Sequence, residues 1–147
     1  MQDLALETDQ FVRPVEDNKA FTGRVFQADT FQEWKNNNPN LLGIQAIACP
    51  VKKIYREYRL FFVGERCVTG SLYMQAGQPM VSPDVDPEAV DYAQVITSKW
   101  RPAAAFVVDI GLTESGYRVI EFNNINSSGF YASNVDRLVA AISDAFT

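Results

Sequence analysis

Two long apolar segments, each interrupted by a tight turn, constrain the fold more than any other feature of this sequence. "KIYREYRLFFVGERCVTGSLYM" occupies residues 53–74, and "AAAFVVDIGLTESGYRVIEFNN" occupies residues 103–124. Strand-forming residues flanking a short polar stretch with glycine are typical of β-hairpins, with turns here at "VGER" and "TESG". The sequence therefore predicts a sheet that contains two antiparallel hairpins.

Shorter elements surround these hairpins. We predict strands at 11–15, 22–28 and 41–48, and a short helix in "DTFQEWKNN" capped by Asp29. A helix is predicted at 86–100, where Pro87 follows Asp86, and another at 134–146. Helical spacing predicts that the last helix buries Val135, Leu138, Val139 and Ile142. This order indicates an α+β fold of antiparallel sheets with packed helices, and the lack of repeats or linkers predicts a single domain over residues 1–147.

The composition excludes several classes of function. The chain of 147 residues contains no histidine, which removes Ser/His and Cys/His nucleophile pairs and leaves oxygen as the expected metal ligand. A net charge of −5 disfavours a nucleic-acid partner.

Cys49 and Cys67 are predicted to be buried free thiols, because they lack metal-site spacing. With no apolar run long enough to cross a membrane and no secretory pattern at the start, we expect a cytoplasmic protein.

Polar residues interrupt the second hairpin in a pattern that suggests a cation site. Glu121 and Asn123 are two residues apart and share a strand face, whereas Ile120 is predicted on the opposite face. Folding the hairpin about its turn brings Asp109 opposite or diagonal to Glu121. Three oxygen ligands suit Mg²⁺, which usually shares its coordination sphere with phosphates. A solvated strand face is the alternative explanation.

Two further motifs carry cations. Glu57 and Arg59 share a face of the first hairpin, where the arginine is able to bind a phosphoryl group or a carboxylate, although a surface Glu–Arg pair explains them equally well. In "FVRPVEDNKAFTG", Arg13 ends a strand, Lys19 lies in the following loop, and Gly23 begins the next strand. This arrangement suggests a weak phosphate cradle, and an exposed hairpin is the alternative.

The order of these motifs resembles the ATP-grasp superfamily. "FVRPVEDNKAFTG", "REYRLFFVGERCVTGSLY", "AAAFVVDIGL" and "YRVIEFNNINSSGFY" are similar to the clade named for one arginine and two lysines, which occurs widely in phages and bacteria. The resemblance extends roughly from Phe11 to Phe146. It implies an ATP-grasp-like α+β fold that binds ATP and Mg²⁺.

The resemblance also implies roles for individual residues. Arg13 would contact the ATP phosphates beneath a loop carrying Lys19 and Gly23, and one of Lys52 and Lys53 would be the second lysine. The remaining implied residues fall into three groups: the adenine-facing hinge "IACPV" with Cys49 and Val51; Glu57 and Arg59 toward the phosphates and substrate; and Asp109, Glu121 and Asn123 as the Mg²⁺ ligands. Lys19 and Arg59 are the candidate catalytic cations.

Two departures from the family pattern affect the functional interpretation. Many ATP-grasp ligases have an arginine two residues before the aspartate, where this chain has Val107. About ten residues precede Arg13, so most of a pre-grasp domain is missing from this sequence. We therefore expect a minimal form, a chain that works with a partner protein or as a homo-oligomer, or a domain that no longer performs the full reaction.

The leading functional hypothesis is an ATP- and Mg²⁺-dependent carboxylate–amine or carboxylate–thiol ligase that acts on a small-molecule or peptide substrate through an acyl phosphate. Ser127, Ser128 and Gly129 are candidates to line its acceptor side. One alternative is a non-catalytic nucleotide-binding or partner-binding module. Another is a metal-dependent nuclease, although Asn123 stands where that pattern requires lysine. The segment "SLYMQAGQPMVSPDVDP" is predicted to be either a lid or an interface.

Overall fold

The computed structural model describes residues 1–16 and 20–146, which form two compact units that divide between Lys52 and Lys53. The prediction of one domain over residues 1–147 remains a prediction. In the described N-terminal unit the regular elements are β1 (Gln10–Pro14), β2 (Arg24–Phe26), α1 (Ala28–Asn36) and β3 (Ala46–Pro50). Those of the C-terminal unit are β4 (Ile54–Val63), β5 (Arg66–Gln75), β6 (Gln78–Ser82), α2 (Pro87–Lys99), β7 (Ala105–Thr113), β8 (Gly116–Asn123) and α3 (Val135–Phe146).

The N-terminal unit is a three-stranded antiparallel sheet in the order β2-β1-β3. Its core combines Val12 with the aromatic rings of Phe26 and Phe31. The predicted cap of α1 is wrong: Asp29 lies inside the first turn, and the carboxylate of Asp9 instead accepts a hydrogen bond from the N–H of Ala28 at 3.1 Å. β3 begins at Ala46, later than predicted, because the 3₁₀ helix Pro39–Leu41 is followed by a turn in which the N–H of Ile44 donates to the carbonyl of Leu41 at 3.0 Å.

The C-terminal unit is a five-stranded antiparallel sheet in the order β6-β5-β4-β7-β8. Both predicted hairpins are confirmed, with turns at 64–65 and 114–115. The first turn needs Gly64, whose φ of 61° lies in the left-handed region that glycine adopts readily. The segment predicted to be a lid or an interface forms the end of β5 and the edge strand β6.

Alternating side chains of β4 and β7 separate the two faces of this sheet. On one face, the buried residues of both strands pack against α2 through Ala89 and Ala93. On the other face, Phe61 and Val107 pack against Leu138 and Ala141 of α3. Beyond this second cluster the same face becomes charged. The candidate site lies in this charged part of the face.

The predicted buried stripe of α3 is wrong in part. Leu138 is buried and Ile142 packs against the core, as predicted, but Val135 is exposed and Val139 is 56% exposed. The small side chain of Ala141 takes their place in the interface. The helix therefore faces the sheet through a stripe centred between Leu138 and Ala141.

None of the helices within residues 1–16 and 20–146 has the length and apolar character required to span a membrane.

The carboxylate of Asp86, at the start of α2, connects this helix to the sheet through hydrogen bonds. Its Oδ2 accepts hydrogen bonds from the hydroxyls of Tyr58 at 2.6 Å and Tyr117 at 3.0 Å, and from the guanidinium of Arg56 at 3.1 Å. The hydrogen bond from Tyr58 is the main cause that lowers the pKa of Asp86, followed by those from Tyr117 and Arg56. One carboxylate oxygen thus joins α2 to both β4 and β8.

We expect Asp86→Ala to lower the free energy of unfolding by about 1–3 kcal/mol at pH 7, because the buried hydroxyl of Tyr58 loses its acceptor. Since the pKa of Asp86 is lower in the folded state, its contribution is present above the unfolded pKa of about 4 and is lost as the pH falls through the folded pKa. Urea unfolding at pH 7 and pH 3 measures this. Asp91→Ala, at an exposed position on α2, is the control, and an equal loss in both variants would contradict the prediction.

Candidate functional site

Three charged side chains form a row across neighbouring strands of the C-terminal sheet. Asp109 on β7 is paired in register with Arg59 on β4 and with Glu121 on β8. The predicted pairing of Asp109 with Glu121 is therefore confirmed. Because residues directly opposite each other project from the same face of a sheet, the three side chains lie side by side. We call them the Arg59–Asp109–Glu121 row.

A β-bulge in β8 produces this alignment. Ile110 pairs with Val119, but the next residue of β7, Asp109, pairs with Glu121, so Ile120 has no partner in the ladder. The prediction that Ile120 lies on the opposite face is wrong, because its side chain covers Gly111 on the Asp109 face. Without the extra residue, Ile120 would lie opposite Asp109. Because of the bulge, the carboxylate of Glu121 lies opposite Asp109 in place of the side chain of Ile120.

Arg59 and Asp109 form a two-point ion pair. Nε of Arg59 donates to Oδ1 of Asp109 at 2.9 Å, and Nη2 donates to Oδ2 at 2.7 Å. The side chain of Asp109 is only 1% exposed and that of Arg59 is 11% exposed. Burial raises the pKa of Asp109, and the guanidinium opposes this rise. The hydrogen bonds to Asp109 raise the pKa of Arg59.

Glu121 lies at the exposed end of the row, and the half-buried Asn123 is two residues further along β8. Nδ2 of Asn123 donates to Oε1 of Glu121 at 2.7 Å, which fixes the Asn123 amide against the Glu121 carboxylate. Arg59 balances the charge of Asp109, so the carboxylate of Glu121 leaves the row with one net negative charge. This charge and the all-oxygen set of acceptors fit a hard cation such as Mg²⁺.

The cation would rely on oxygen ligands from outside the protein. Within residues 1–16 and 20–146, no three His, Cys, Asp or Glu side chains cluster closely enough to hold a metal ion. The site offers two carboxylates and one amide, which is typical of Mg²⁺ sites that keep water molecules and phosphate oxygens. The assignment of Asp109, Glu121 and Asn123 as metal ligands stays a prediction.

Two aromatic side chains that were not predicted at the site lie against Arg59. Tyr73 and Tyr131 stack with ring centroids 5.2 Å apart, and Cζ of Arg59 lies 5.5 Å and 5.3 Å from the two centroids. The hydroxyl of Tyr73 donates to Oε2 of Glu57 at 2.7 Å. Arg59 therefore pairs with Asp109 rather than with Glu57, and the alternative of a surface Glu–Arg pair is wrong. The alternation of side chains between the two faces of β5 could have predicted that Tyr73 lies on the face of Arg59. No sequence pattern indicated Tyr131.

Part of the predicted phosphate cradle lies in the N-terminal unit. A Cβ added at Gly23 would lie 2.9 Å from Cβ of Arg13 and 3.0 Å from Cζ of Phe11, so β2 begins directly against the arginine. Nη1 of Arg13 donates to the carbonyl of Pro14 at 3.3 Å. Lys19 lies outside the described residues. The phosphate-binding roles of Arg13, Lys19 and Gly23 stay predictions.

Most of the predicted adenine hinge lies in β3, which pairs with β1 in the N-terminal sheet. Cys49 on β3 is exposed, and its Sγ lies 3.7 Å from the carbonyl oxygen of Phe11. The prediction that Cys49 is buried is wrong, because β3 is an edge strand. Val51 is exposed after the strand, and Nζ of Lys53 lies 5.1 Å from the ring centroid of Tyr55. The adenine-facing role of this segment and the choice between Lys52 and Lys53 stay predictions.

The other cysteine, Cys67 on β5, is a partly buried free thiol, and its burial raises the pKa to about 11. It is protonated at neutral pH, as expected of a thiol without a chemical role.

The segment predicted to line the acceptor side follows β8. The hydroxyls of Ser127 and Ser128 both donate to the carbonyl of Asn124, at 3.2 Å and 2.9 Å, and so stabilise the turn. The carbonyl of Gly129 accepts from Nη1 of Arg59 at 3.4 Å. Gly129 thus contacts the row through its backbone carbonyl. A substrate role for any of them stays a prediction.

Comparison with known proteins gives two kinds of similarity. Residues 2–142 match the family described as ATP-grasp domain, family 3 of the clade named for one arginine and two lysines. Among solved structures, the chain is similar to the ATP-grasp ligase PsnB complexed with minimal precursor, with a TM-score of 0.57 and 15% identity over 91% of this chain. It is also similar to the N5-carboxyaminoimidazole synthetase from Staphylococcus aureus complexed with ADP, with a TM-score of 0.51 and 15% identity over 84% of this chain.

The matched region covers only part of each solved relative, 48% of PsnB and 35% of the synthetase. No curated protein sequence gives a match. At this identity the solved structures support the fold, which is that of ATP-grasp ligases, and the family match extends over nearly the whole sequence. The chain belongs to the ATP-grasp domains, in family 3 of the clade named for one arginine and two lysines.

Proposed function

We propose that this domain binds ATP with Mg²⁺ and activates a carboxylate for ligation to an amine or a thiol. The observation that carries the proposal is the Arg59–Asp109–Glu121 row, which places one cation and two carboxylates side by side in an ATP-grasp domain. One relative was solved with ADP and the other with a minimal precursor, which supports a nucleotide and a second ligand here.

Asp109, Glu121 and Asn123 would hold the Mg²⁺ ion. When bound, the ion would neutralise phosphate charge and orient the phosphate oxygens for in-line transfer. Glu121 would supply the uncompensated charge that attracts the ion, and Asn123 would hold the Glu121 carboxylate in place through its Nδ2. Asp109 would contribute from a fixed position, because both of its oxygens are bonded to Arg59.

The cationic side chains would act on the nucleotide and the substrate. Arg13 and Lys19 would balance the charge of the ATP phosphates, and Arg59 would orient an anionic oxygen near the reacting groups. A substrate carboxylate oxygen would attack the γ-phosphorus, breaking its bond to the β–γ bridging oxygen and releasing ADP. An amine or thiol would then attack the acyl carbon of the acyl phosphate, lose its proton and release inorganic phosphate.

Nucleotide binding is the first test of this proposal. At 100 times its dissociation constant, Mg²⁺–ATP is expected to stabilise the protein by about 2.7 kcal/mol, which raises Tm by roughly 5–10 °C. Differential scanning fluorimetry with ATP, in Mg²⁺ and in EDTA, measures this shift. An absent shift at millimolar Mg²⁺–ATP would count against the proposal. For catalysis, phosphate release should require Mg²⁺ together with a carboxylate and an amine or thiol.

One observation favours a second candidate, a nucleotide-binding module without ligase activity. Val107 occupies the position at which many ATP-grasp ligases have an arginine, and its side chain is fully buried against α3. It therefore brings no positive charge to the reacting groups. Mg²⁺–ATP binding without phosphate release, over a panel of carboxylates, amines and thiols, would select this candidate.

A further inference from the structure

Tyr131 has a backbone conformation that bulky residues rarely adopt. Its φ is 50°, and the only other described non-glycine residue with positive φ is Ala76, in the turn between β5 and β6. A left-handed conformation of a large side chain costs free energy, so it persists only where surrounding contacts favour it. At Ala76 the two-residue hairpin turn itself requires the conformation. Tyr131 lies outside any hairpin, in a four-residue turn that is closed by a hydrogen bond from the N–H of Ser133 to the carbonyl of Phe130 at 2.9 Å.

Apart from this turn, the contacts of Tyr131 converge on Arg59. The Tyr131 ring stacks on that of Tyr73 at an interplanar angle of 12°, and both rings lie against the guanidinium. On either side of Tyr131 the chain is tied to the sheet. The carbonyl of Gly129 accepts from Arg59, and the N–H of Ala132 donates to Oγ of Ser71 at 3.2 Å.

The guanidinium of Arg59 is held in one plane, but some of its N–H groups have no acceptor among the described residues. Of its five N–H groups, two donate to Asp109 and one donates to Gly129 over a longer distance of 3.4 Å. Within the part of the chain that the structure describes, two N–H groups remain for another acceptor. Because rigid donors bind anionic oxygens more strongly than mobile ones, fixing the guanidinium plane favours anion binding.

We propose that Tyr131 is a positioning residue. Its stacked ring fixes the guanidinium of Arg59 for an anionic oxygen of a ligand, and the contacts of the ring offset the cost of the strained backbone. The anionic oxygen would belong to the terminal phosphate of ATP or to a substrate carboxylate, so this inference rests on the proposed function. Tyr131 as a whole residue is 49% exposed. It therefore adds little to the buried core, and its removal tests positioning more than packing.

Three substitutions distinguish the effect of the Tyr131 ring from the effect of its strained backbone. Tyr131→Phe keeps the ring, Tyr131→Ala removes the ring but keeps the strain, and Tyr131→Gly removes both. Ala76→Gly is the matched control, because it relieves the same type of strain in a hairpin turn whose residues are not part of the Tyr73–Tyr131 stack. Two measurements are made on each variant: Tm, and the solvent exchange of the Arg59 Nε–H by NMR, with its signal assigned from Arg59→Lys.

We expect Tyr131→Phe to match the wild type in both measurements. In Tyr131→Gly and Tyr131→Ala, the exchange of Arg59 Nε–H should become about tenfold faster, because the stacked ring no longer restricts the guanidinium. Tyr131→Gly should melt roughly 2–4 °C above Tyr131→Ala, since only glycine relieves the strain. Unchanged exchange in Tyr131→Gly would overturn the inference. A large and equal loss of Tm in the alanine and glycine variants would also overturn it, since this would assign a structural role.

Calorimetry with Mg²⁺–ATP and Mg²⁺–ADP identifies the anionic group. A tenfold loss of ATP affinity in Tyr131→Gly, with ADP affinity retained, would assign the terminal phosphate to Arg59. Faster Nε–H exchange with both affinities retained would exclude the terminal phosphate and leave the substrate carboxylate as the anionic group of the proposal. If the wild type binds neither nucleotide, the proposed function fails, whereas the exchange and melting measurements still decide whether Tyr131 positions Arg59.

Discussion

Arg59→Ala is expected to lower the free energy of unfolding by about 3–5 kcal/mol at pH 7. The substitution leaves Asp109, which is almost fully buried, without its two charge-assisted hydrogen bonds. A carboxylate in that position has lost its water without a compensating cation, and this is among the most costly changes in a protein interior. The expected loss is a large fraction of the roughly 5–15 kcal/mol that stabilises a typical domain.

The effect of Arg59→Ala should depend on pH in a defined direction. Burial raises the pKa of Asp109 in the folded protein, so its contribution to stability is fully present below the unfolded pKa of about 4 and is lost as the pH rises through the folded pKa. Without Arg59 the folded pKa rises further. The difference between variant and wild type should therefore be largest at neutral pH and should diminish toward pH 4. Urea unfolding over this range measures it.

Two comparisons make the Arg59 prediction specific. Arg101→Ala removes the arginine of an exposed ion pair, in which the Glu65 side chain is 77% exposed, and it should cost less than about 1 kcal/mol. Arg59→Ala combined with Asp109→Asn should be less destabilised than Arg59→Ala alone, because no buried charge remains unpaired. If Arg59→Ala and Arg101→Ala cost the same, the buried pair does not stabilise the domain.

The features that the sequence predicted are mainly local. The turns at 64–65 and 114–115 and the extent of α2 depend on residues that are close together in sequence, so their patterns were sufficient. The cap of α1 was missed for the opposite reason, because Asp9 reaches Ala28 from 19 residues away. On α3, periodicity alone did not distinguish Val139 from Ala141, because the side of the helix that packs against the sheet is determined by tertiary contacts.

The site shows the same division. Asp109 and Glu121 belong to one hairpin, so their pairing was predictable, although the bulge at Ile120 that aligns them was not. The pairing of Arg59 with Asp109 requires β4 to lie beside β7, and this order of strands is a tertiary property. Tyr131 was missed because a positive φ leaves no pattern in the sequence of a non-glycine residue.

Glu121→Gln is expected to reduce the affinity for Mg²⁺–ATP at least a hundredfold with little change in Tm. Residues that only support a metal ligand typically contribute 10–100-fold to metal affinity, so a direct ligand that also provides the net charge of the site should contribute no less. The side chain is exposed, and glutamine keeps an oxygen able to accept from Asn123. The folded state should therefore tolerate the substitution, whereas the attraction for the cation is lost.

The matched control for Glu121→Gln is Glu114→Gln, which removes the same charge at an exposed position in the turn of the same hairpin. Isothermal titration calorimetry of Mg²⁺–ATP, and of ATP in EDTA, compares both variants with the wild type. Glu121→Gln should bring the affinity in Mg²⁺ close to that in EDTA, whereas Glu114→Gln should keep the difference. Equal losses in the two variants would indicate a general effect of net charge, and an unchanged affinity in Glu121→Gln would remove Glu121 from the metal site.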